Sequence, residues 1–408
     1  MGVLAEICVM DKINMPNNMI SKMIGKKAII AMSGGVDSAV AALAIKNAGA
    51  DCIGITMRLF DNADVGEDSK KSCCSLEDAA AAEQVANRLN IPFYIFNLAD
   101  DFKKQVIERF ISEYQEGKTP NPCIDCNRYI KFEKLFTRAA QLGMDYVVTG
   151  HYARIEQEQD TDGRFLPNSR FLLKKATDKT KDQSYVLYAM TQEQLRGTLF
   201  PLGGLTKSKV REIAAENGFK NANKPDSQDI CFVRNGDYAG FIAEYTSNSV
   251  TNSAVGAVGA VGTTSTTIAV STTGNFIDKS GKILGQHNGH IRYTIGQRKG
   301  LGIAFGKPMY VCDKNPADNT VTLSEEDGLY SQELYAKDFN WISLKEAPTS
   351  PIKIKAKIRY NQEETPATAC AAGDNVKIVF DEPKRAIAKG QAVVLYDGDI
   401  VVGGGTIL

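Results

Sequence analysis

A short glycine-containing stretch, Ala31-Met-Ser-Gly-Gly-Val-Asp-Ser38, separates an apolar run from an alanine-rich run. Residues 26–32 predict a buried parallel strand, and residues 39–46 predict a helix packed against it. A strand that turns through Gly34 and Gly35 into a helix leaves several backbone N–H groups unpaired at the helix start, where the helix dipole also favours negative charge. The stretch therefore predicts a phosphate-binding turn within an α/β fold.

Two serine hydroxyls and one carboxylate, which can orient a magnesium ion, add to this turn. The stretch lacks the Gly-Lys-Ser/Thr ending of a Walker loop, and it is not a Gly-x-Gly-x-x-Gly dinucleotide turn. It resembles the SGGxDS signature of the ATP pyrophosphatases, which split ATP between its α and β phosphates. That resemblance implies an enzyme that adenylates an oxygen and releases pyrophosphate. The implied ATP-binding residues are Ala31, Met32, Ser33, Gly34, Gly35, Val36, Asp37 and Ser38.

Strand-like and helix-like segments alternate from about residue 26 to residue 150. Further strands are predicted at 50–57, 91–96 and 146–149, with helices at 75–89 and 103–114 between them. Repeated β–α units of this kind predict a parallel sheet with helices on both faces. Ligands of such sheets bind beyond the carboxyl ends of the strands, which is where Ser33 to Gly35 fall.

The remainder of the chain has a different pattern. A helix is predicted at 207–217, and residues 245–277 contain no charged residue and include a tandem Ala-Val-Gly repeat, which indicates a low-complexity surface insert. After Gly281, short alternating runs between Gly, Asp and Pro turns predict a small C-terminal β-barrel or sandwich. The predicted domains are a parallel-sheet catalytic domain at 26–222, a small central α+β domain at 223–302 with its insert at 246–274, and a β-barrel at 303–408.

Composition narrows the class of protein further. The 408 residues have 43% hydrophobic and 24% charged content and a net charge of zero, which is typical of a globular protein whose basic surfaces are local. No apolar run approaches the length that spans a membrane. Residues 1–23 are interpreted as a ragged extension and not as a secretory signal. Nine cysteines, an odd number, favour a reducing compartment over a disulfide scaffold, so we expect a cytoplasmic protein.

Three cysteines stand in informative contexts. Cys123 and Cys126 have a Cys-x-x-Cys spacing within Asn121-Pro-Cys-Ile-Asp-Cys-Asn127, and Cys231 lies in Asp226-Ser-Gln-Asp-Ile-Cys-Phe232. The spacing alone fits a redox pair, half of a zinc site or part of an iron–sulfur site. Structural zinc is disfavoured because no second Cys-x-x-Cys and no His pair completes it. Four other cysteines are interpreted as inert residues: Cys8, Cys52, Cys312 and Cys370. The role of the adjacent pair Cys73-Cys74 is ambiguous.

Six separated motifs in order resemble the tRNA-specific 2-thiouridylase family, and the match runs from about Lys26 to the C-terminus apart from the insert. The motifs are Ala31 to Ser38, Asn121-Pro-x-x-x-Cys-Asn-x-x-Ile-Lys-Phe132, Thr149-Gly-His-Tyr-Ala-Arg154, Lys181-Asp-Gln-Ser-Tyr185, Asp226 to Phe232 and Thr294-Ile-Gly-Gln-Arg-Lys-Gly-Leu-Gly302.

The resemblance implies a reaction and a set of site residues. ATP adenylates the C2 oxygen of a wobble uridine in tRNA, and a persulfide sulfur then replaces that oxygen. Cys231 would carry the persulfide, supplied by a persulfide sulfur-donor protein or a cysteine desulfurase, and Cys126 would be the second catalytic thiol. Met57 and Gly150 would line the adenine and ribose site. The implied tRNA-binding residues are Asn121, Pro122, Cys123, His151, Lys181, Asp182, Gln183, Arg359, Tyr360 and Gln391.

Cys123 departs from the family pattern, in which many members have Asp at this position. With Cys126 and Cys231 it supplies three thiolates, enough to hold a [4Fe-4S] cluster whose open iron would carry the sulfur. No metal ligand is assigned, the persulfide is slightly favoured, and both chemistries remain open at this point. ATP and Mg²⁺ are the expected cofactors.

A basic stripe is the clearest candidate RNA surface. Lys353, Lys355, Lys357 and Arg359 alternate with apolar residues, so at strand period the cations share one face. The segment from Gly296 to Gly300 offers a second basic site. A third set, Lys207, Lys209 and Arg211, opposes the dipole at a predicted helix start and thus indicates an anionic partner.

Two other functions fit parts of the sequence. Another ATP pyrophosphatase, a synthetase that adenylates a small molecule, would require neither cysteines nor tRNA, but no glutaminase domain is evident. A non-catalytic tRNA-binding protein would bind tRNA without forming AMP, which the intact loop from Ser33 to Ser38 argues against.

Overall fold

The computed structural model describes residues 23–60, 76–159, 162, 164, 169–226, 229–233, 236–254 and 273–408. Several predictions fall outside this part of the chain: the N-terminal extension with Cys8, the Cys73-Cys74 pair, and nearly all of the Ala-Val-Gly repeat. None of the helices in the described ranges has both the length and the apolar character needed to cross a membrane.

The strands are β1 (Lys27–Ala31), β2 (Asp51–Arg58), β3 (Phe93–Asn97), β4 (Tyr146–Val148), β5 (Ala153–Gln157), β6 (Phe171–Lys175), β7 (Thr198–Leu199), β8 (Gly274–Ile277), β9 (Ile283–His287), β10 (Tyr310–Asn315), β11 (Thr320–Ser324), β12 (Tyr330–Trp341), β13 (Ile352–Lys357), β14 (Thr365–Ala372), β15 (Asn375–Arg385), β16 (Ala392–Asp397) and β17 (Ile400–Ile407). The α-helices are α1 (Val36–Asn47), α2 (Leu76–Arg88), α3 (Ala99–Phe102), α4 (Glu108–Gln115), α5 (Pro122–Asp125), α6 (Leu135–Gln141), α7 (Gln192–Arg196), α8 (Lys207–Glu216) and α9 (Tyr238–Ala254). Wider π-helical turns cover Lys103–Ile107 and Cys126–Lys134, and short 3-10 turns cover Ser184–Leu187, His290–Arg292 and Glu326–Leu329.

A five-stranded parallel sheet forms the N-terminal part, in the order β3-β2-β1-β4-β7. Its central strand β1 is buried at Ala28, Ile29 and Ile30 because helices cover both faces. Helix α1 is rich in alanine, and its residues from Ser38 to Ile45 are all buried between the sheet and α8. This arrangement confirms the predicted parallel sheet and places the turn after β1 at the carboxyl edge.

A closed barrel forms the C-terminal part. Strands β12, β15, β14, β13, β16 and β17 follow one another, and β12 pairs again with β17 to close the ring. The predicted barrel is confirmed. The hairpin β5–β6, which lies in the N-terminal half of the sequence, extends this sheet, since Lys174 of β6 pairs with Ile400 of β17. A smaller four-stranded sheet, in the order β10-β11-β8-β9, lies between the two parts in sequence.

The uncharged stretch from Tyr245 to Ile277 is more regular at its ends than predicted. Helix α9 continues to Ala254, and β8 begins at Gly274. The hydroxyls of Thr246 and Ser247 donate to backbone carbonyls one turn earlier, so these polar side chains are satisfied inside the helix. Because these hydrogen bonds are made by neutral hydroxyl groups, the helix forms in a stretch without charged residues, and its sequence does not indicate it. The domain bounds remain a prediction.

Candidate active site

The turn after β1 has the geometry of an anion-binding loop. Gly34 has a φ of +70°, a conformation that disfavours any side chain, and Gly35 is the N-cap of α1. The Ser38 hydroxyl donates to the Gly35 carbonyl at 3.0 Å and accepts from the Ser33 N–H at 3.2 Å. These bonds fold the loop over the first turn of α1. Because Gly35 has no capping side chain, the N–H groups of that turn remain available to a phosphate.

The other predicted ATP residues converge on this loop. Gly150 follows β4, and a Cβ added there would lie 2.9 Å from both Asp37 C and Ser38 N, so only glycine allows this close approach. Met57 lies near the carboxyl end of β2, beside the loop strand, and is half-buried. The hydroxyl of its neighbour Thr56 donates to the Met32 carbonyl at 2.6 Å. The structure thus brings the residues expected to bind ATP to one edge of the sheet.

Asp37 is the carboxylate of the loop, and it has two partners. Lys207 Nζ lies 2.8 and 2.7 Å from its two oxygens, and the Tyr152 hydroxyl donates to Oδ1 at 2.7 Å. One carboxylate beside a phosphate site fits Mg²⁺, which binds through one or two carboxylates plus substrate phosphates. In this conformation the ammonium group of Lys207 occupies the cation position.

The two cysteines expected to be catalytic share one environment. Cys126 begins the π-helical turn Cys126–Lys134, and Cys231 lies in the segment before α9. Both are half-buried and pack against a single hydrophobic cluster that also touches Met57. A π-helical turn often marks a functional position within a helix.

Cys123 lies in a different environment from those two cysteines. It is exposed and lies near Tyr360. Burial of Tyr360 raises the pKa of its phenol, and the nearby charges of Asp182 and Cys123 raise it further. Within the described residues, which include all three cysteines, no group of three His, Cys, Asp or Glu side chains is arranged to hold a metal ion. Cys123 is exposed whereas Cys126 and Cys231 are half-buried, and the iron–sulfur cluster stays a prediction.

Asp125 is a buried carboxyl next to Cys126. Burial raises the pKa of Asp125 to about 6, against the opposing charges of Arg109 and Arg128. Arg109 Nε lies 3.7 Å from Asp125 Oδ2, a loose ion pair. The guanidinium groups of Arg109 and Arg128 lie 5.0 and 5.2 Å from the centre of the Tyr129 ring. The first turn at Cys126 is therefore lined by two cations and one titratable carboxyl.

We expect Asp125→Asn to stabilise the protein at alkaline pH. The folded-state pKa of about 6 lies above the ordinary 3.8, so ionisation of Asp125 costs stability as pH rises through 6 and costs little below the unfolded-state value. The expected gain is about 1–3 kcal/mol at pH 8 and less than about 1 kcal/mol at pH 4. Thermal unfolding at several pH values measures it. A gain that does not change with pH would contradict this account.

Several predicted tRNA-binding residues form the local structure near the cysteines. The Asn121 side chain accepts the Cys123 N–H at 3.2 Å and caps α5, and Pro122 is buried at its first position. Asp182 accepts bonds from Ala176 N, Ser184 N and the Ser184 hydroxyl, so its carboxylate stabilises a turn. Gln183 Oε1 accepts the Tyr152 N–H at 2.9 Å. These side chains are held by protein contacts and would meet RNA through their remaining polar atoms.

The other members of that set lie at junctions. Lys181 pairs with Asp226 at 2.8 Å, and the Tyr360 hydroxyl donates to the Asp182 carbonyl at 3.2 Å. Gln391 Nε2 donates to the Thr119 carbonyl at 2.7 Å, joining the barrel to the loop before α5. Gln391 thus connects the barrel to the segment that carries Asn121, and Tyr360 connects it to the segment that carries Lys181 and Asp182.

One predicted tRNA residue, His151, lies inside the fold. His151 is buried between Phe132 and Phe200, and its Nδ1 lies 2.7 Å from the Thr149 hydroxyl. Burial, with the charge of Lys131, holds its pKa well below the usual value, so the ring is neutral. This placement favours the structural role of a satisfied histidine over RNA contact.

The basic stripe ends earlier than strand alternation predicts. Lys353 and Lys355 are exposed, whereas Lys357 is half-buried near the Tyr185 and Tyr360 rings. Strand β13 ends at Lys357, and Arg359 turns inward to donate to the Ile295 and Ala386 carbonyls at 3.3 and 2.8 Å. The expectation that all four cations share one open face is therefore wrong for Arg359, because the strand bends before it.

Sequence reasoning did not identify a group of charged residues behind the loop. The sequence predicts an anionic partner for Lys207, and in the structure this lysine pairs with two carboxylates of the same chain, Asp37 and Asp226. Tyr152 lies within the motif from Thr149 to Arg154, but the sequence gives no role for it. Asn221, whose Nδ2 donates to the Gly34 carbonyl at 3.0 Å, has no distinguishing signal in its sequence surroundings.

The chain matches three family models. The model of the tRNA methyl transferase HUP domain matches residues 26–235. The model of the tRNA methyl transferase PRC-barrel domain matches residues 265–325, and the model of the Aminomethyltransferase beta-barrel domain matches residues 331–407. Among solved structures, the U34-tRNA thiolase NcsA from Methanococcus maripaludis with its [4Fe-4S] cluster aligns with 60% of this chain and 72% of its own, at 16% identity and a TM-score of 0.34. That likeness is too weak to bear on the site.

Curated relatives match along nearly their whole length. The tRNA-specific 2-thiouridylase MnmA of Clostridioides difficile (strain 630) is 50% identical over 385 residues, which are 94% of this chain and 98% of the relative. The MnmA protein of Lachnoclostridium phytofermentans is 47% identical over 387 residues, 94% of this chain and 99% of the relative. With this identity over both full lengths, and with the loop and cysteines placed as described, the chain belongs to the tRNA-specific 2-thiouridylase family.

Proposed function

We propose that this chain performs the reaction for which its family is named, ATP-dependent 2-thiolation of the wobble uridine of tRNA. As a family member it is an ATP-using tRNA sulfurtransferase. One observation supports adenylation at the loop followed by sulfur transfer at the cysteines. Met57 lies beside the nucleotide loop and also packs against the hydrophobic cluster that contains Cys126 and Cys231. A base activated at the loop would thus lie within reach of both thiols.

The first step is adenylation. The uridine C2 oxygen attacks the α phosphorus of ATP, and pyrophosphate leaves from the loop. The N–H groups at the start of α1 and the hydroxyls of Ser33 and Ser38 would hold the charge that develops on the phosphates. Mg²⁺ held by Asp37 would supply further charge neutralisation. The adenylate converts a poor leaving group at C2 into AMP.

The second step is sulfur transfer. The terminal sulfur of a Cys231 persulfide attacks C2 and displaces AMP. The Cys126 thiolate then attacks Cys231 Sγ, which breaks the S–S bond, releases 2-thiouridine and leaves a Cys126–Cys231 disulfide for an external thiol to reduce. Alternatively, Cys126 attacks the persulfide first and the released hydrosulfide displaces AMP. No step is routed through an iron–sulfur cluster; in that alternative, Cys123, Cys126 and Cys231 would be its ligands.

The proposed RNA surface runs from the cysteine segment to the barrel. Asn121, Pro122 and Cys123 would meet the target base, and Tyr360, which is close to Cys123, would border it. Lys181, Asp182, Gln183 and Gln391 would line the approach. Exposed Lys353 and Lys355, with exposed Arg298 and Lys299 on the turn before β10, would follow the phosphates. A persulfide donor protein or cysteine desulfurase would load Cys231 in the cytoplasm.

We expect the double variant Lys353→Ala/Lys355→Ala to bind tRNA less tightly and with weaker salt dependence. Each lost phosphate contact lowers the slope of log affinity against log salt by about 1. Binding measured from low to moderate salt checks this. Lys377→Ala is the matched control, because this barrel lysine already pairs with Glu333 at 2.7 Å. Equal slopes for wild type and the double variant would remove this strand from the RNA surface.

Anaerobic modification of unmodified tRNA with ATP, magnesium, cysteine and a cysteine desulfurase as persulfide donor tests the proposed function. Metal-free and iron-reconstituted protein are run in parallel, and 2-thiouridine is detected by mass spectrometry. We expect product from the metal-free protein. Product from the iron-loaded protein alone would move the sulfur to a cluster. AMP formation without thiolated uridine from either preparation would favour the small-molecule synthetase.

A further inference from the structure

Three side-chain contacts join the segment before Cys231 to the nucleotide loop. Asn221 donates to the Gly34 carbonyl at 3.0 Å, Lys224 pairs with Asp78, and Asp226 reaches Asp37 through Lys207. Residues 221–226 are therefore held by the loop and by the start of α2. Cys231 follows five residues after Asp226, so these contacts hold the chain close to the cysteine in sequence.

Lys207 is the central residue of this connection. Its Nζ lies 2.7 Å from Asp226 Oδ1 while it contacts both oxygens of Asp37, and its side chain is only 11% exposed. The backbone N–H of Lys207 also donates to Asp178 at 2.9 Å, which fixes the start of α8. A buried ammonium group between two carboxylates is a bridge whose geometry depends on both.

Asp226 contacts three cations, which are Lys181, Lys207 and Arg211. Burial alone would raise its pKa, but hydrogen bonds from Lys181 and Lys207 hold that pKa below its usual value. Arg211 Nη2 lies 3.3 Å from Asp226 Oδ1, and its guanidinium also donates to the Ala222 and Lys224 carbonyls at 2.8 and 3.0 Å. Lys207 is the member of this group that also contacts the nucleotide loop.

ATP would compete for the same ammonium. A triphosphate at the start of α1 is a polyanion within the reach of Lys207, and a magnesium ion seated on Asp37 would take the position that Nζ now occupies. Because Nζ contacts both oxygens of Asp37, a magnesium ion bound to the same oxygens would have to displace it. Nucleotide binding would thus draw Lys207 away from the Asp37–Asp226 bridge and loosen the segment that leads to Cys231.

We propose that Lys207 is a positioning residue that couples nucleotide occupancy at Asp37 to the release of the Cys231 segment. The inference rests on the proposed function and deepens it: the persulfide-bearing thiol becomes mobile only after ATP is in place. Sulfur is thereby withheld until the uridine can be activated. The coupling runs through Asp226, with no direct contact between Lys207 and the reacting atoms.

The alkylation rate of Cys231, followed by peptide mass spectrometry, tests this coupling in the full-length protein. The probe is the ATP analogue with a methylene between the α and β phosphates, added with magnesium. We expect the analogue to accelerate Cys231 alkylation about fivefold or more in the wild type, within the range of ordinary couplings between sites. Lys207→Met should alkylate faster without nucleotide and show no further response. Lys207→Arg should restore the response.

Controls separate coupling from loosening of the fold. Lys209→Met changes a lysine on the same helix that pairs with Glu212, and it should behave as the wild type. Asp226→Asn removes the other end of the bridge and should act like Lys207→Met, which keeps the test valid if one variant folds poorly. Cys370 in the barrel is the internal reference for alkylation.

The outcomes distinguish this inference from the proposed function. If the analogue binds to the wild type but leaves Cys231 alkylation unchanged, the coupling is overturned and the proposed function stands. A nucleotide response that persists in both Lys207→Met and Asp226→Asn would also overturn it. If calorimetry detects no binding of the analogue, both the coupling and the ATP site fail.

Discussion

Replacing Cys231 with alanine is expected to abolish 2-thiouridine formation while leaving adenylation of tRNA intact. Cys231 Sγ carries the transferred sulfur as a persulfide, so the variant has no atom on which to load it, and we expect a loss of roughly a thousandfold or more. The nucleotide loop lies on different elements from Cys231, so pyrophosphate release in the first turnover should continue. Mass spectrometry of digested tRNA and a pyrophosphate assay measure the two steps separately.

Two comparisons give this result its meaning. Cys370→Ala removes a half-buried thiol on β14 of the barrel, far in sequence from both catalytic motifs, and should retain wild-type product formation. Cys126→Ala should stop turnover after the persulfide has formed, since Cys126 is needed to cleave it. Full thiolation by Cys231→Ala would exclude a persulfide on this residue. Loss of adenylation as well would indicate that the variant disturbs the nucleotide loop.

Local sequence patterns predicted the elements that positioned the ATP site. The loop from Ser33 to Ser38 combines a buried strand, two glycines and an alanine-rich helix, and each of these restricts the local backbone. Alternating strands and helices then require a parallel sheet, which fixes the edge at which Met57 and Gly150 approach the loop. These inferences depended on neighbours in sequence or on strand order, and the structure confirms the sheet and the turn.

Features that depend on distant contacts could not be predicted. The hairpin β5–β6 joins the barrel through a pairing between Lys174 and Ile400. Lys207 and Asp37 are 170 residues apart, and the pattern around each gives no sign of the other. Arg359 was assigned to an open face because strand alternation was continued beyond Lys357, where the strand ends. The sequence supplies the residues in each case, whereas only the fold decides which of them meet.

Gly34→Ala is expected to weaken ATP binding by roughly tenfold or more, because the loop must shift and each hydrogen bond lost to a charged phosphate is worth about 1.5–3 kcal/mol. At φ +70° an alanine costs about 1–2 kcal/mol through its own backbone conformation. Its Cβ would also lie closer to Asp78 O than real Cβ atoms come, and 2.9 Å from Asp78 C and Cα. These are backbone atoms that cannot rotate away, so the loop or the start of α2 must move.

Gly25→Ala separates the conformational cost from the clash. Gly25 has a φ of +74°, almost that of Gly34, but a Cβ there would have no atom within 4 Å. We therefore expect Gly25→Ala to lower thermal stability by about 1 kcal/mol through its backbone alone and to leave the affinity for the ATP analogue unchanged. Calorimetric titration of both variants measures the difference. Equal affinities would show that phosphate binding does not depend on the close approach of Gly34 to Asp78.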